Sequence, residues 1–130
     1  MARIHLVEDN EMNRDMLSRR LKRSGHEVEM AVNGQEAIDM ARASQPEIVL
    51  MDMSLPVIDG WEATRRLRAS PDTAHLRIIA LTSHAMSGDR EKALAAGASE
   101  YVTKPVDPER LLAILHVWLG PSSPELTAAP

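Results

Sequence analysis

Four short apolar runs in this 130-residue chain each end at a polar residue suited to phosphate chemistry. Ile4-His5-Leu6-Val7 leads into Glu8-Asp9, Ile48-Val49-Leu50-Met51 into Asp52, Ile78-Ile79-Ala80-Leu81 into Thr82, and Tyr101-Val102-Thr103 into Lys104-Pro105. If the runs are parallel strands of one sheet, these groups gather at its carboxyl edge, where open α/β sheets place their ligand sites. Three carboxylates, a hydroxyl and an ammonium would then face one another across a cleft, a set able to bind a divalent cation and to accept a phosphoryl group.

Two carboxylates about 5 Å apart repel by about 3 kcal/mol at an effective dielectric near 20. Three together need a proton or a bridging cation. Oxygen-only ligands select hard ions, and Mg²⁺ characteristically takes one or two carboxylates with waters and a substrate phosphate. Glu8 and Asp9 leave the strand end on different sides, so Asp9 is expected to ligate directly and Glu8 more through water. Asp52 would be the nucleophile, forming an acyl phosphate, and the metal would neutralise the transferring oxygens. Thr82 and Lys104 supply the hydroxyl and ammonium donors that a phosphorylated Asp52 needs.

Each residue alone has a plainer reading. Glu8-Asp9-Asn10 would cap the following helix, Asp52 would be a loop residue, Thr82 a strand-end residue and Lys104 a solvated charge. Convergence of five positions on one edge carries the inference.

Strand-like and helix-like segments alternate with short connections, the pattern of a parallel βαβ fold. Strands are expected at about 3–7, 27–31, 48–51, 77–81 and 100–103, and helices at about 11–23, 35–43, 60–69, 87–96 and 108–119. The first helix places Met12, Met16, Leu17 and Leu21 on one broad face, and Arg14, Arg19, Arg20, Lys22 and Arg23 make it basic, read first as a solvated face and second as part of a docking surface for a partner protein. Gly25 supplies a left-handed stop. The weak second run suits an edge strand. The expected fold is a five-stranded parallel sheet of order 2-1-3-4-5, doubly wound and flavodoxin-like with five helices, and that order sets strands one and three side by side at the switch point.

The length suits one domain with one core. Net charge is −4, so no basic field points to nucleic acid or an anionic membrane, and neither is expected as a direct partner. With no cysteine, disulfides and thiolate chemistry are excluded. Met1-Ala2-Arg3 runs straight into the first strand without a leader-like apolar region, and no segment approaches a membrane span, so a cytoplasmic location is expected. Residues 1–120 are expected to form the domain, and 121–130, rich in Pro, Ser and Ala, a disordered tail. There is no Phe and one Tyr, which makes Tyr101, between two motif positions, conspicuous.

Leu6-Val7-Glu8-Asp9-Asn10, Val49-Leu50-Met51-Asp52, Pro56-Val57-Ile58-Asp59-Gly60, Ala80-Leu81-Thr82-Ser83 and Tyr101-Val102-Thr103-Lys104-Pro105 together resemble the response-regulator receiver domain, the CheY-like module of two-component signalling. The resemblance covers about 3–119 in one register. It implies that Asp52 takes a phosphoryl group from a histidine of a sensor kinase or histidine phosphotransfer protein. Asp9, Asp52 and the Ser54 carbonyl would hold Mg²⁺, with Glu8 assisting through water. Thr82 would hydrogen-bond the phosphoryl group, Lys104 would pair with it, and Tyr101 would turn inward as Thr82 is drawn to it. Glu8 departs from the commoner Asp by one methylene. Ser54 and His84, two residues beyond Asp52 and Thr82, stand where this family tunes the attacking water.

On the last helix Leu111, Leu112, Leu115, Trp118 and Leu119 form a core stripe, whereas Ala113, Ile114 and Val117 lie off it. So much apolar circumference is normally covered, and receivers commonly signal through helix four, strand five and helix five. A protein target or a second copy is therefore expected at Ile114 and Val117.

The leading expectation is a stand-alone switch that catalyses its own phosphorylation and slow dephosphorylation; a receiver belonging to a hybrid histidine kinase is the alternative. A haloacid-dehalogenase-like phosphatase would need an acid at position 54, where Ser54 stands. A flavodoxin-like electron carrier would need a phosphate cradle where Glu8-Asp9 repels one. The intact acidic cluster argues against a pseudo-receiver.

Overall fold

The computed structural model describes residues 2–82 and 89–119. Ten elements alternate along the chain: β1 (Arg3–Val7), α1 (Glu11–Arg23), β2 (Glu27–Ala31), α2 (Gly34–Ser44), β3 (Ile48–Asp52), α3 (Gly60–Ala69), β4 (Arg77–Thr82), α4 (Asp89–Ala96), β5 (Glu100–Thr103) and α5 (Pro108–Leu119). The strands form one parallel sheet in the order β2-β1-β3-β4-β5, as expected. β3 and β4 each run one residue further than the apolar pattern suggests, taking in Asp52 and Thr82. The expected start of the fourth helix at Ser87, together with His84 and the tail at 121–130, lies outside the described residues.

Side-chain alternation divides the sheet into two dry faces. Ile4, Leu6, Ile48, Leu50, Ile79, Leu81 and Val102 pack with Leu17 and Leu21 of α1 and with Leu111 and Leu115 of α5. Val7, Val49, Met51, Ile78 and Ala80 pack with α2, α3 and α4 through Ala37, Ile38, Ala63, Leu67 and Ala93. β3 is buried along its whole length, as a central parallel strand must be. β2 keeps Glu27, Glu29 and Met30 exposed, which blunts a sheet edge.

Two helix faces differ from the sequence expectation. Met12 and Met16 do not join the core face of α1: they are 82 % and 46 % exposed. At 3.6 residues per turn they lie about 140° and about 100° round the helix from Leu17, outside the arc that faces the sheet. On α5, Ile114 stands only about 60° from Leu111 and leans on the core cluster with Leu112, Trp118 and Leu119, whereas Val117 is 79 % exposed.

Close helix approach frames the sheet edge. A Cβ added to Gly60 would lie 2.2 Å from the Asp52 carbonyl oxygen and 2.6 Å from the Met53 Cα, and one added to Gly34 would lie 2.0 Å from the Ile58 carbonyl oxygen. Glycine at these positions lets α3 and α2 press against the loop that leaves β3. Asn10, Asn33 and Asp59 cap the starts of α1, α2 and α3, each side chain accepting from a backbone N–H three residues on.

His5 sits in the middle of β1, 1 % exposed, with Nε2 3.2 Å from Glu29 Oε1 on its register partner in β2. Burial holds its imidazole below the usual histidine range, partly offset by the hydrogen bond and charge of Glu29. Nδ1 is buried without a hydrogen-bond partner, so a second ring proton would have no acceptor. The folded state thus prefers neutral His5, and this contribution to stability is present above the unfolded-state value of 6.5 and lost as the pH falls below it. Two expected outcomes follow. His5→Leu flattens the fall in urea midpoint between about pH 7.5 and about pH 5 relative to the unaltered protein. Gly60→Ala lowers stability by about 1–3 kcal/mol in the same assay, through overpacking against Asp52 and Met53.

Candidate functional site

Alternation along three strands sends Glu8, Asp52 and Lys104 to the same side of the sheet edge. Glu8 stands two residues after Leu6, Asp52 two after Leu50 and Lys104 two after Val102, and Leu6, Leu50 and Val102 all belong to the α1/α5 face. β1 and β3 are paired neighbours, whereas Lys104 arrives from β5, held by its backbone N–H donating to the Thr82 carbonyl at 2.7 Å. Its ammonium lies 2.9 Å from Asp52 Oδ2 and 3.1 Å from Glu8 Oε1. The Lys104–Pro105 peptide bond is cis.

Glu8 and Asp52 are each 1 % exposed, and Asp9 is exposed beside them. One carboxylate oxygen from each of the three lies within 4.8 Å of the others. Asp52 Oδ1 accepts from the Ser54 backbone N–H at 3.0 Å, and Glu8 Oε2 accepts from that of Asn10 at 3.1 Å. The sequence-expected acids thus meet as one cluster, with Ser54 turned from the strand end just beyond them.

The electrostatics follow from burial. Burial, and then the hydrogen-bonded closeness of Asp52, push the Glu8 carboxyl up to about 7, against the opposing pull of the Asn10 N–H and Lys104. Burial alone would lower the Lys104 ammonium, but hydrogen bonds and charge from Asp52 and then Glu8 outweigh it and raise it. Lys104 is therefore a fixed cation, while Glu8 shares a proton with solvent near neutrality.

The donor set fits a hard divalent cation. Three carboxylates, two of them buried, exceed what one ammonium can neutralise, and their spacing sets all three around one ion position, directly or through water. Asp9 and Asp52 would be the carboxylates that hold Mg²⁺, with the Ser54 carbonyl and Glu8 completing the protein side.

Thr82 and Tyr101 belong to the opposite face of the sheet edge. Thr82 is fully buried, one residue beyond Leu81, the register partner of Asp52. Tyr101 pairs with Ala80 and is half-buried against the cluster shared with α3 and α4. Both therefore share a face at the β4–β5 junction, with Thr82 beside the acidic end of β3. His84, two residues on, is outside the described residues.

Sequence reasoning missed two features. Lys104 was expected only as a phosphate partner, but here it also bridges Glu8 to Asp52. Arg14, expected on a solvated basic face, instead turns back and donates from Nη1 to the carbonyls of Glu8 and Asp9 at 2.9 and 3.3 Å. A backbone target has no signature in residue types, so no sequence signal could have separated Arg14 from its neighbours. Between α1 and the segment after β5 lies a cleft of about 350 Å³ lined by Glu8, Asn13, Met16, Leu17, Lys104, Pro105 and Val106.

This order of strands, with an acid–lysine cluster at the β1/β3 switch point, defines a doubly wound α/β domain built around a carboxylate site. The chain belongs to the response regulator receiver domain family, which it matches over residues 4–116. It is 36 % identical to the polar-differentiation response regulator DivK of Brucella anthropi, an alignment covering 90 % of this chain and 95 % of that one. Among solved structures it is similar to the receiver domain of the sensor histidine kinase PA1611 from Pseudomonas aeruginosa, described with a magnesium ion coordinated in the active-site cleft. The TM-score is 0.85 at 39 % identity, covering 92 % of this chain and 98 % of that one. It is also similar to the receiver domain of the response regulator Ssk1 from Saccharomyces cerevisiae, crystallised with the histidine phosphotransfer protein Ypd1 (TM-score 0.84, 30 % identity, 93 % and 90 % covered).

Lys104→Met removes the one cation that opposes Glu8 protonation from within the cluster. The expected outcome is a Glu8 titration midpoint above about 7 in the metal-free protein, read from the side-chain carboxyl carbon by NMR across pH. An unmoved midpoint would show that the ammonium does not hold the pair together.

Proposed function

We propose that this chain is a phosphoryl-accepting switch of two-component signalling. A carboxylate oxygen of Asp52 attacks the phosphorus of a phosphohistidine on a sensor kinase or phosphotransfer protein. The P–N bond breaks, and the imidazole leaves with a proton from solvent. The observation that carries this reading is the buried Asp52 carboxylate, 1 % exposed and divided between the Lys104 ammonium and the Ser54 N–H, within reach of two further acids.

Mg²⁺, held by Asp9, Asp52 and the Ser54 carbonyl with Glu8 nearby, would supply positive charge to the transferring oxygens. The chain's own residues do the rest. Lys104 is poised to move from the carboxylate to a phosphoryl oxygen, and Thr82 offers its hydroxyl from the end of β4. Drawing Thr82 toward Asp52 would vacate space that Tyr101 could fill, coupling the site to the face of α4, β5 and α5. Ser54, two residues beyond Asp52, and His84, by its place in the sequence two residues beyond Thr82, would tune the lifetime of the acyl phosphate. Val117, with Ile114 at the margin, belongs to the face offered to a downstream protein or a second copy.

The DivK relative, matched over 95 % of its length, supports a stand-alone regulator. The similarity to a receiver of a sensor histidine kinase favours a second reading, in which this domain belongs to a hybrid kinase. Residues 1–120 would be the receiver and 121–130 a tail. Among the described residues no helix is long and apolar enough to cross a membrane, which is consistent with the cytoplasmic location we infer.

Incubation with acetyl phosphate and Mg²⁺ should add one phosphoryl group, seen by intact-mass spectrometry, and Asp52→Asn should abolish it. Equal labelling of the Asn variant would overturn the assignment. Steady turnover of a generic phosphate ester would favour a phosphatase instead.

A further inference from the structure

Arg14 lies near the start of α1, and its guanidinium turns back to the backbone, whereas Arg19 and Arg20 pair with the carboxylates of Asp15 and Glu109. Arg14 Nη1 donates to the carbonyl oxygens of Glu8 at 2.9 Å and Asp9 at 3.3 Å, the two acids that leave β1. We propose that Arg14 is a positioning residue for the metal site, fixing the peptide units from which the Glu8 and Asp9 carboxylates project. This inference rests on the metal-binding reading above.

The need for such a device lies in Asp9. Glu8 is anchored three other ways: its N–H donates to the Ala31 carbonyl at 3.0 Å, Oε2 accepts from the Asn10 N–H, and Oε1 meets Lys104. Asp9 is exposed, and among the described residues its carboxylate makes no hydrogen bond or ion pair. Its side chain is held near Asp52 only by the backbone that carries it. That backbone bridges a strand end and a helix cap, where Asn10 Oδ1 accepts from the Asn13 N–H at 2.9 Å and the Arg14 N–H donates to the Asn10 carbonyl at 2.9 Å. Arg14 closes the turn by reaching from the helix to the two carbonyls before the cap. Groups that orient metal ligands without touching the ion commonly change affinity by about 10–100-fold when removed.

Charge and position make opposite forecasts. If Arg14 acted only as a positive charge near an acidic cluster, removing it would tighten divalent-cation binding, and a lysine would leave it unchanged. If it acts by position, both Arg14→Met and the shorter Arg14→Lys weaken binding. The test is isothermal titration of metal-free protein with Mg²⁺ at about pH 8, where Glu8 is ionised. It is paired with the Mg²⁺ dependence of phosphorylation by acetyl phosphate.

Both variants are expected to bind Mg²⁺ about tenfold more weakly. Half-maximal phosphorylation should need about tenfold more Mg²⁺, with a rate at saturation within about twofold of the unaltered protein. Unchanged affinity in both variants, or tighter binding by Arg14→Met, would overturn the proposal. So would failure of both to fold, which would make Arg14 a stability residue. If the unaltered protein does not bind Mg²⁺, the metal-binding reading fails; if it binds and the variants bind equally, only the role of Arg14 does.

Discussion

One ammonium between two buried carboxylates is the contact around which this molecule is organised. Glu8 and Asp52 are each withdrawn from water, and Lys104 lies within 3.1 Å of both. Burying like charges side by side is costly unless a cation or a proton intervenes, and removing one partner of such a set leaves an uncompensated buried charge. The cluster uses both remedies: a fixed lysine, and a glutamate raised to about 7. With Asp9 beside them and all three acids ionised, the carboxylates still outnumber the one ammonium, a donor set that fits a divalent ion.

Holding such a cluster together requires the rest of the fold. The three charges stand at the ends of β1, β3 and β5, elements separated by whole βα units, and only the parallel sheet brings those ends together. Two apolar layers keep the strands in register, so that alternation aims Glu8, Asp52 and Lys104 at one another. Glycines at 34 and 60 let the neighbouring helices press against the loop beyond Asp52. The acidic residues lie on the α1/α5 side of the sheet edge, and Thr82 and Tyr101 lie on the other.

Much of this was legible in residue order. Four short apolar runs, bounded by Gly, Pro and Asn, located β1, β3, β4 and β5, and the polar residue after each located the acidic edge; β2 showed only as a weak run suited to an edge. Helix faces were less legible, because an apolar residue does not announce which arc of a helix will meet the sheet. Met12 and Met16 shared the pattern of Leu17 but missed the core, while Ile114 joined it. Arg14 was indistinguishable from the other basic residues of α1, and His5 read as one polar residue in an apolar strand. Its match with Glu29 across β1 and β2 depends on register.

The sequence by itself determined the element order, the winding of the sheet and the chemical identity of the edge, because periodicity and turn chemistry act over a few neighbouring residues. Tertiary structure alone decided which charges touch: that Lys104 bridges Glu8 and Asp52, that Asp9 stays exposed, and that Arg14 reaches back to the backbone. Those outcomes depend on distances of a few ångströms between residues as far apart in the chain as Glu8 and Lys104. Such distances exist only once both faces of the sheet have been packed.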